Sequence, residues 1–198
     1  MTRHPKHDDP KAAILEAARA LMLEKGPEYL SVREVARRSA YSPAALYEYF
    51  DGKDQLITAV ADESLAQLTA SLRHVPTDLA ARQQLVELGM AYVRFAHAHP
   101  HHFRLIFGQL PARRQSLAEP VPLASPYHIV LAAVREGVDR GELWTSAGYG
   151  VEEMAYSLWV LAHGMAMLQQ THLQHFQAAA ATVDRRVFEV FVASLARP

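Results

Sequence analysis

The chain contains no cysteine. That absence removes disulfide frameworks, thiolate zinc sites, iron–sulfur clusters and cysteine nucleophiles from consideration. An excess of one charge is lacking too: 20 Lys+Arg stand against 21 Asp+Glu, for a net charge of −1. Binding to a polyanion through bulk charge is thereby excluded, and any such contact has to come from a local basic face. Lysine is scarce, and its four occurrences (Lys6, Lys11, Lys25, Lys53) all fall within the first 53 residues. There is no long clean apolar run. The most apolar stretch, Val151 to Leu168, carries Glu152, Glu153 and His163 and falls short of the ~20 residues of a membrane span. The first ten residues are polar, without the apolar core of a secretory signal. The expectation is a soluble, cytoplasmic chain without membrane association.

What is present is core material. Half of the 198 residues are apolar, enough for one large domain or two small ones at ~100–200 residues each. The periodicity reads as all-α, with about nine helices and no convincing strand. Asp8 or Asp9 can cap a first helix, with Pro10 in its first turn; Ile14, Ala17, Ala18 and Leu21 fall on one face, and Gly26-Pro27 ends it. Ser31-Val32-Arg33-Glu34 has the capping-box pattern, opening a helix to about Ser39. Ser42-Pro43 supplies an N-cap with proline at the first helical position, for a short helix to about Tyr49. Asp51-Gly52-Lys53 breaks it, and a long helix runs to about His74. Thr77 can cap a run to about His99, interrupted by Pro100. Residues 108 to 126, with Pro111, Pro120, Pro122 and Pro126, read as a long loop. Further helices follow over about 126–140, with Gly141 beyond the end, 151–172 and 182–196.

Two short helices separated by Ala40, Tyr41 and Ser42 have no stability of their own and must pack on a third. Val32, Val35 and Ala36 of one, and Leu46 and Phe50 of the other, face inward. That leaves Pro43, Ala44, Ala45, Tyr47, Glu48 and Tyr49 outward, on a short helix whose small, neutral start can enter a major groove about 12 Å wide.

These residues carry a resemblance. Ile14, Ala17, Ala18, Leu21 and Gly26, then Ser31 to Ala36, Ser42 to Phe50, and Lys53-Asp54-Gln55-Leu56 resemble the DNA-binding domain of TetR-family transcriptional regulators. The resemblance implies a helix-turn-helix domain over residues 1–56, with an arm at 1–9, and a ligand-binding and dimerisation domain over 57–198. It implies that Ser31 and Arg33 meet phosphates. Ser42, Pro43, Ala44 and Ala45 would present the reading helix to bases and backbone. Tyr47 would touch a phosphate, Tyr49 would lie near the backbone or a thymine methyl, and Lys53 would pair with a phosphate at the start of the fourth helix. Two residues depart from the pattern. Ala40 stands where the family has glycine, at a cost of about 1 kcal/mol if its φ is positive. Glu48 puts an acid on the reading helix, where it either accepts from a cytosine N4 amine or pairs with an arginine or lysine of the protein.

Further on, Ala91 to Ala96 leading to His99-Pro100 and Phe103 to Phe107, and Trp159 to Gly164, resemble the TetR C-terminal domain named for a Trp–His–Gly motif. Met154, Leu158, Leu161, Met165 and Leu168 form one apolar stripe; Trp159, His163 and Ala166 form an adjoining one. In the last helix Val183, Val187, Val190, Phe191 and Leu195 align. A helix apolar this far round buries two faces, one on its own core and one, as the resemblance implies, on a second copy in a two-fold four-helix bundle. Leu158, Leu161, Met165, Leu168, Val187 and Phe191 are the expected dimer contacts. A two-fold pair would set its reading helices ~34 Å apart. A ligand cavity is expected among Tyr92, Phe95, Phe103, Phe107, Tyr127, Met154, Trp159 and His163, with a small-molecule effector relieving repression at a palindromic operator.

Other chemistry finds little support. His97, His99, His101 and His102 straddle Pro100 at spacings that do not converge on one face, and no carboxylate-x-x-His pair occurs, so neither metal nor other cofactor is expected. His163 is expected to bond a buried group across a helix pair. No phosphate-cradling glycine loop, Gly-x-Ser-x-Gly elbow or His-Glu-x-x-His occurs, and the chain is not read as an enzyme. The alternative is a helical small-molecule sensor with weak or lost DNA binding, which Ala40 and Glu48 alone favour.

Overall fold

The computed structural model describes residues 9–108, 122, 125–173 and 180–195, and apart from one bridge between Ser146 and Tyr149 their regular structure is helical. Among the described residues there are nine α-helices, in keeping with the all-α reading: α1 Pro10–Lys25, α2 Val32–Ser39, α3 Pro43–Tyr47, α4 Lys53–Arg73, α5 Ala81–Ala98, α6 Pro100–Phe107, α7 Pro126–Asp139, α8 Val151–Gln170 and α9 Ala180–Ser194. None of them is long and apolar enough to cross a membrane. Most of the loop expected over 108–126 lies outside the described residues.

The chain forms two compact units, Met1–Ser64 with His101–Arg114 and Leu65–Pro100 with Gln115–Pro198. The division expected at residue 56 falls inside α4, which contributes to both. In the first unit α1 is capped by Asp9, whose carboxylate accepts from the Ala12 N–H at 3.1 Å, and stopped at Gly26, whose φ of 104° suits a residue without Cβ. Ile14, Ala17, Ala18, Leu21 and Met22 of α1 meet Leu30, Val35 and Ala36 of α2, Leu46, Phe50, Leu56, Val60 and Leu105 in one core. Val32 is only half-buried against it. Leu105 explains why α6, distant in sequence, belongs to this unit.

In the second unit α5 packs against α7, α8 and α9. Its start differs from the expectation. Thr77 does not cap it; α5 begins at Ala81, whose N–H is taken by the Glu142 carboxylate at 2.7 Å, from 61 residues away. A long-range side chain has replaced the local cap. On α9 Asp184, Phe188 and Val192 turn inward together with Leu195 just past its end, while Val183, Val187 and Val190 are exposed, so Leu195 parts from the stripe in which the sequence aligns it with them. Phe188 is fully buried and lies where Gly89 of α5 has no side chain; a Cβ there would stand 2.5 Å from the Phe188 ring. Gly89→Ala should therefore cost a net ~1–2 kcal/mol, the overpacking outweighing the ~1 kcal/mol that alanine gains in a helix. Urea unfolding of the two proteins at one pH measures it, and an unchanged midpoint would contradict the close fit.

Candidate nucleic-acid interface

Two serines build the surface that α2 and α3 present. Ser31 Oγ accepts from the Glu34 N–H at 3.2 Å, and Ser42 Oγ from the Ala45 N–H at 3.1 Å. The carboxylate half of the expected capping box goes elsewhere: Glu34 receives Arg37 at 2.7 and 2.8 Å and Arg38 at 3.2 Å. Hydrogen bonds from Arg37 and then Arg38 hold the Glu34 carboxyl down from 4.5 to about 2. Arg38 is shared with Glu24 at 2.6 Å. Arg37 and Arg38 are thus neutralised within the protein, while Arg33 is exposed and makes no ion pair among the described residues.

Between the two helices Ala40 adopts φ 61° and ψ 24°, the left-handed conformation, so the residue departing from the family's glycine keeps the turn that glycine would make. Its strain costs about 1 kcal/mol. The Tyr41 N–H reaches back to the Ala36 carbonyl at 3.1 Å and closes the turn.

α3 is one and a half turns long, and Leu46 is its buried anchor. Pro43, Ala44, Tyr47 (57 % exposed), Glu48 and Tyr49 (37 %) are open to solvent, with Ala44 and Glu48 opposite Leu46 at helical spacing. Ser42 is exposed and Ala45 half-buried. The Glu48 carboxylate makes no hydrogen bond or ion pair among the described residues, so the pairing alternative is not realised among them. Lys53 begins α4, as expected, but its ammonium already donates one bond, to the Glu28 carbonyl at 3.2 Å in the 3₁₀ turn Pro27–Tyr29.

The second unit gathers part of the expected ligand set. Tyr92 and Trp159 pack edge to face at 4.9 Å, and Trp159 meets Tyr127 at 5.6 Å. The Tyr92 hydroxyl and Nδ1 of His163 are hydrogen-bonded at 2.8 Å, joining α5 to α8 as expected of His163. Burial pushes the Tyr92 phenol up and the His163 imidazole down, which keeps both neutral. The void beside them is only about 10 Å³, lined by Leu72, Leu88, Tyr92, Leu158 and Trp159 among others, room for about one water. Phe95 and Met154 are core residues. Phe103 and Phe107 pack on each other at 4.9 Å on α6, in the first unit.

The dimer set divides. Leu158 is 1 % exposed and belongs to the core, because the inward face of α8 is Met154, Ala155, Leu158, Ala162 and Ala166. Leu161, Met165 and Phe191 are half-buried; Leu168 and Val187 are exposed. The open apolar rows are Tyr156, Val160, Met167 and Leu168 on α8 and Val183, Val187 and Val190 on α9. Tyr156, Val160 and Met167 escaped the sequence reading, although their i, i+4, i+11 spacing was there to be read.

Among the histidines, His102 bonds Ser64 at 2.9 Å and His101 bonds Arg104 at 2.7 Å. His97 meets Gln169, whose amide holds the buried Asp184 carboxylate at 2.8 and 2.9 Å. No group of three or more metal-ligating side chains occurs among the described residues.

A left-handed turn between two short, serine-capped helices, with the second held out to solvent, defines a helix-turn-helix protein. Residues 14–60 match the family model described as "Bacterial regulatory proteins, tetR family", and residues 85–196 the one described as "Tetracyclin repressor-like, C-terminal domain". The second match alone covers more than half of the chain: the chain belongs to the TetR family. Neither description names a Trp–His–Gly subgroup. Over 72 residues it is 40% identical to the HTH-type transcriptional repressor Rv3405c of Mycobacterium tuberculosis and to the HTH-type transcriptional regulator Mb3439c of Mycobacterium bovis. Those 72 residues are 36% of this chain and 38% of each relative's own length. A solved Rhodococcus sp. RHA1 protein of unknown function shares the fold, with a TM-score of 0.81 at 23% identity, over 99% of this chain and 100% of that one. So does a TetR family transcriptional regulator, PfmR of Thermus thermophilus, with a TM-score of 0.62 at 21% identity, over 93% and 99%.

The His163 environment has a pH consequence. Its folded pKa lies below the ordinary 6.5, so below that pH the unfolded chain binds the additional proton and stability declines. Wild type should lose more stability between pH 7.5 and 5.5 than His163→Gln, which keeps an acceptor for Tyr92. Equal losses in urea midpoint would show that His163 is not held neutral.

Proposed function

We propose that this chain is a sequence-specific DNA-binding transcriptional regulator that represses from an inverted-repeat operator as a homodimer and is released by a small molecule. One observation carries the reading: α3 and the two residues after it expose Ala44, Tyr47, Glu48 and Tyr49 around the buried Leu46. Ser31 and the unpaired Arg33 flank it on α2, Lys53 on α4. The first unit binds DNA: Ser31, Arg33 and Lys53 hold phosphates, Tyr47 and Tyr49 line the backbone, and Ser42 to Ala45 enter the major groove. Lys53 keeps two donors for a phosphate after bonding Glu28.

The second unit binds effector and partner. The exposed rows of α8 and α9 are too apolar to be left to water, and a self-complementary four-helix contact with a second copy covers both. Tyr92, Tyr127, Trp159 and His163 form the effector site. Its ~10 Å³ void holds no drug-sized molecule, for which about 300 Å³ or more is needed. An effector therefore binds by repacking these rings, and it releases DNA only insofar as it prefers the repacked state. The chain has no catalytic part in this scheme and works in the cytoplasm, with DNA.

Selection of bound duplexes from a random pool by the purified protein, at stated salt, tests the reading. An inverted repeat with half-sites about one helical turn apart is expected. A folded protein that enriches no motif would favour a sensor without DNA binding. Lys53→Ala should weaken specific and random duplexes alike and flatten the log–log salt dependence by about one unit per protomer. If only folding stability changes, Lys53 serves the Glu28 contact and not DNA.

A further inference from the structure

We propose that Glu48 is the residue that selects a cytosine in each half-site, an inference that rests on the DNA-binding reading above. Glu48 follows the last residue of α3 with right-handed helical backbone (φ −70°, ψ −23°), its N–H on the Ala45 carbonyl at 3.3 Å. It therefore continues the face of Ala44, four residues earlier, and both are exposed on the side away from the buried Leu46 and Phe50.

Three other glutamates of the first unit are held in ion pairs. Glu34 is clamped by Arg37 and Arg38, Glu24 by Arg38, and Glu16 by Arg19. Glu48 has no such partner among the described residues, and the Lys53 ammonium is bonded to the Glu28 carbonyl instead. An unpaired carboxylate in a surface that meets phosphates weakens binding to every duplex. It becomes favourable only where the groove offers it a hydrogen-bond donor.

In the major groove guanine shows N7 and O6 and thymine shows O4, all acceptors that repel a carboxylate. Adenine offers N6–H₂, but its N7 lone pair lies beside that donor. Cytosine N4–H₂ has an acceptor on one side only, the O6 of its paired guanine, whereas adenine N6–H₂ lies between its own N7 and the O4 of its paired thymine, so cytosine is the base edge that a bare carboxylate fits best. Tyr47 and Tyr49, exposed on either side in sequence, hold the backbone while Glu48 reads.

The test compares wild type with Glu48→Ala, first by random-pool selection and then by titration of the selected operator with its C·G pairs changed one at a time to T·A. Wild type should disfavour the change at one position per half-site by about five- to a hundredfold. Glu48→Ala should lose that discrimination there, keep it elsewhere, and bind random duplexes more tightly than wild type. The proposal is overturned if the variant selects the same bases as wild type. It is also overturned if the variant no longer binds random duplexes, since Glu48 would then serve the fold. Failure of wild type itself to enrich a motif would instead strike the DNA-binding reading, independently of Glu48.

Discussion

The burial of Leu46 is the constraint on which the candidate interface depends. A helix of five residues has no stability in isolation. Leu46 enters the core built by Ile14, Ala18, Leu21, Val35 and Ala36, with Phe50 beside it, and through that contact α3 acquires a fixed direction. The remaining parts are fastened around that anchor. Ser42 fixes where α3 begins, Ala40 sets the angle of approach from α2, and Lys53 ties the start of α4 to the turn before α2. The strain at Ala40 is borne because the surrounding core leaves the turn no other conformation.

Electrostatics then sorts side chains of like type into unlike duties. Arg33, Arg37 and Arg38 are near neighbours in sequence and identical in chemistry. Glu34 sits three and four residues before the last two, at helical spacing, and engages both, which leaves Arg33 on the exposed side. The same sorting separates Glu34 from Glu48. One acid is neutralised by two guanidiniums, and the other, just past the end of α3, has no such partner among the described residues.

The second unit is organised by helices with two apolar faces. On α8 and α9 the inward faces are fixed by close packing, Phe188 against Gly89 and Leu158 beside Tyr92. The outward faces, including Val160 and Val187, are exposed. The neutral Tyr92–His163 bond is a polar element in an otherwise apolar cluster that packs with little void.

Much of this architecture is determined by local sequence. Caps at Asp9, Ser31 and Ser42, the breaks at Gly26 and Pro100, and the spacing of Ile14, Ala17, Ala18 and Leu21 act within one helical turn, and such signals are visible in a single chain. The linear pattern also named Ser31, Arg33, Glu48 and Lys53. Tertiary structure alone decided the rest. Which of two apolar stripes on α9 turns inward depended on Phe188 finding the one glycine of α5, and a valine stripe looks equally apolar either way. The cap of α5 came from Glu142, and Glu34 left its backbone bond for two arginines. Phe103 and Phe107 went to the first unit because Leu105 of the same helix is buried there. Each of these outcomes rests on a contact between residues whose separation or competition along the chain leaves no periodic trace, and only the folded arrangement chooses among the available partners.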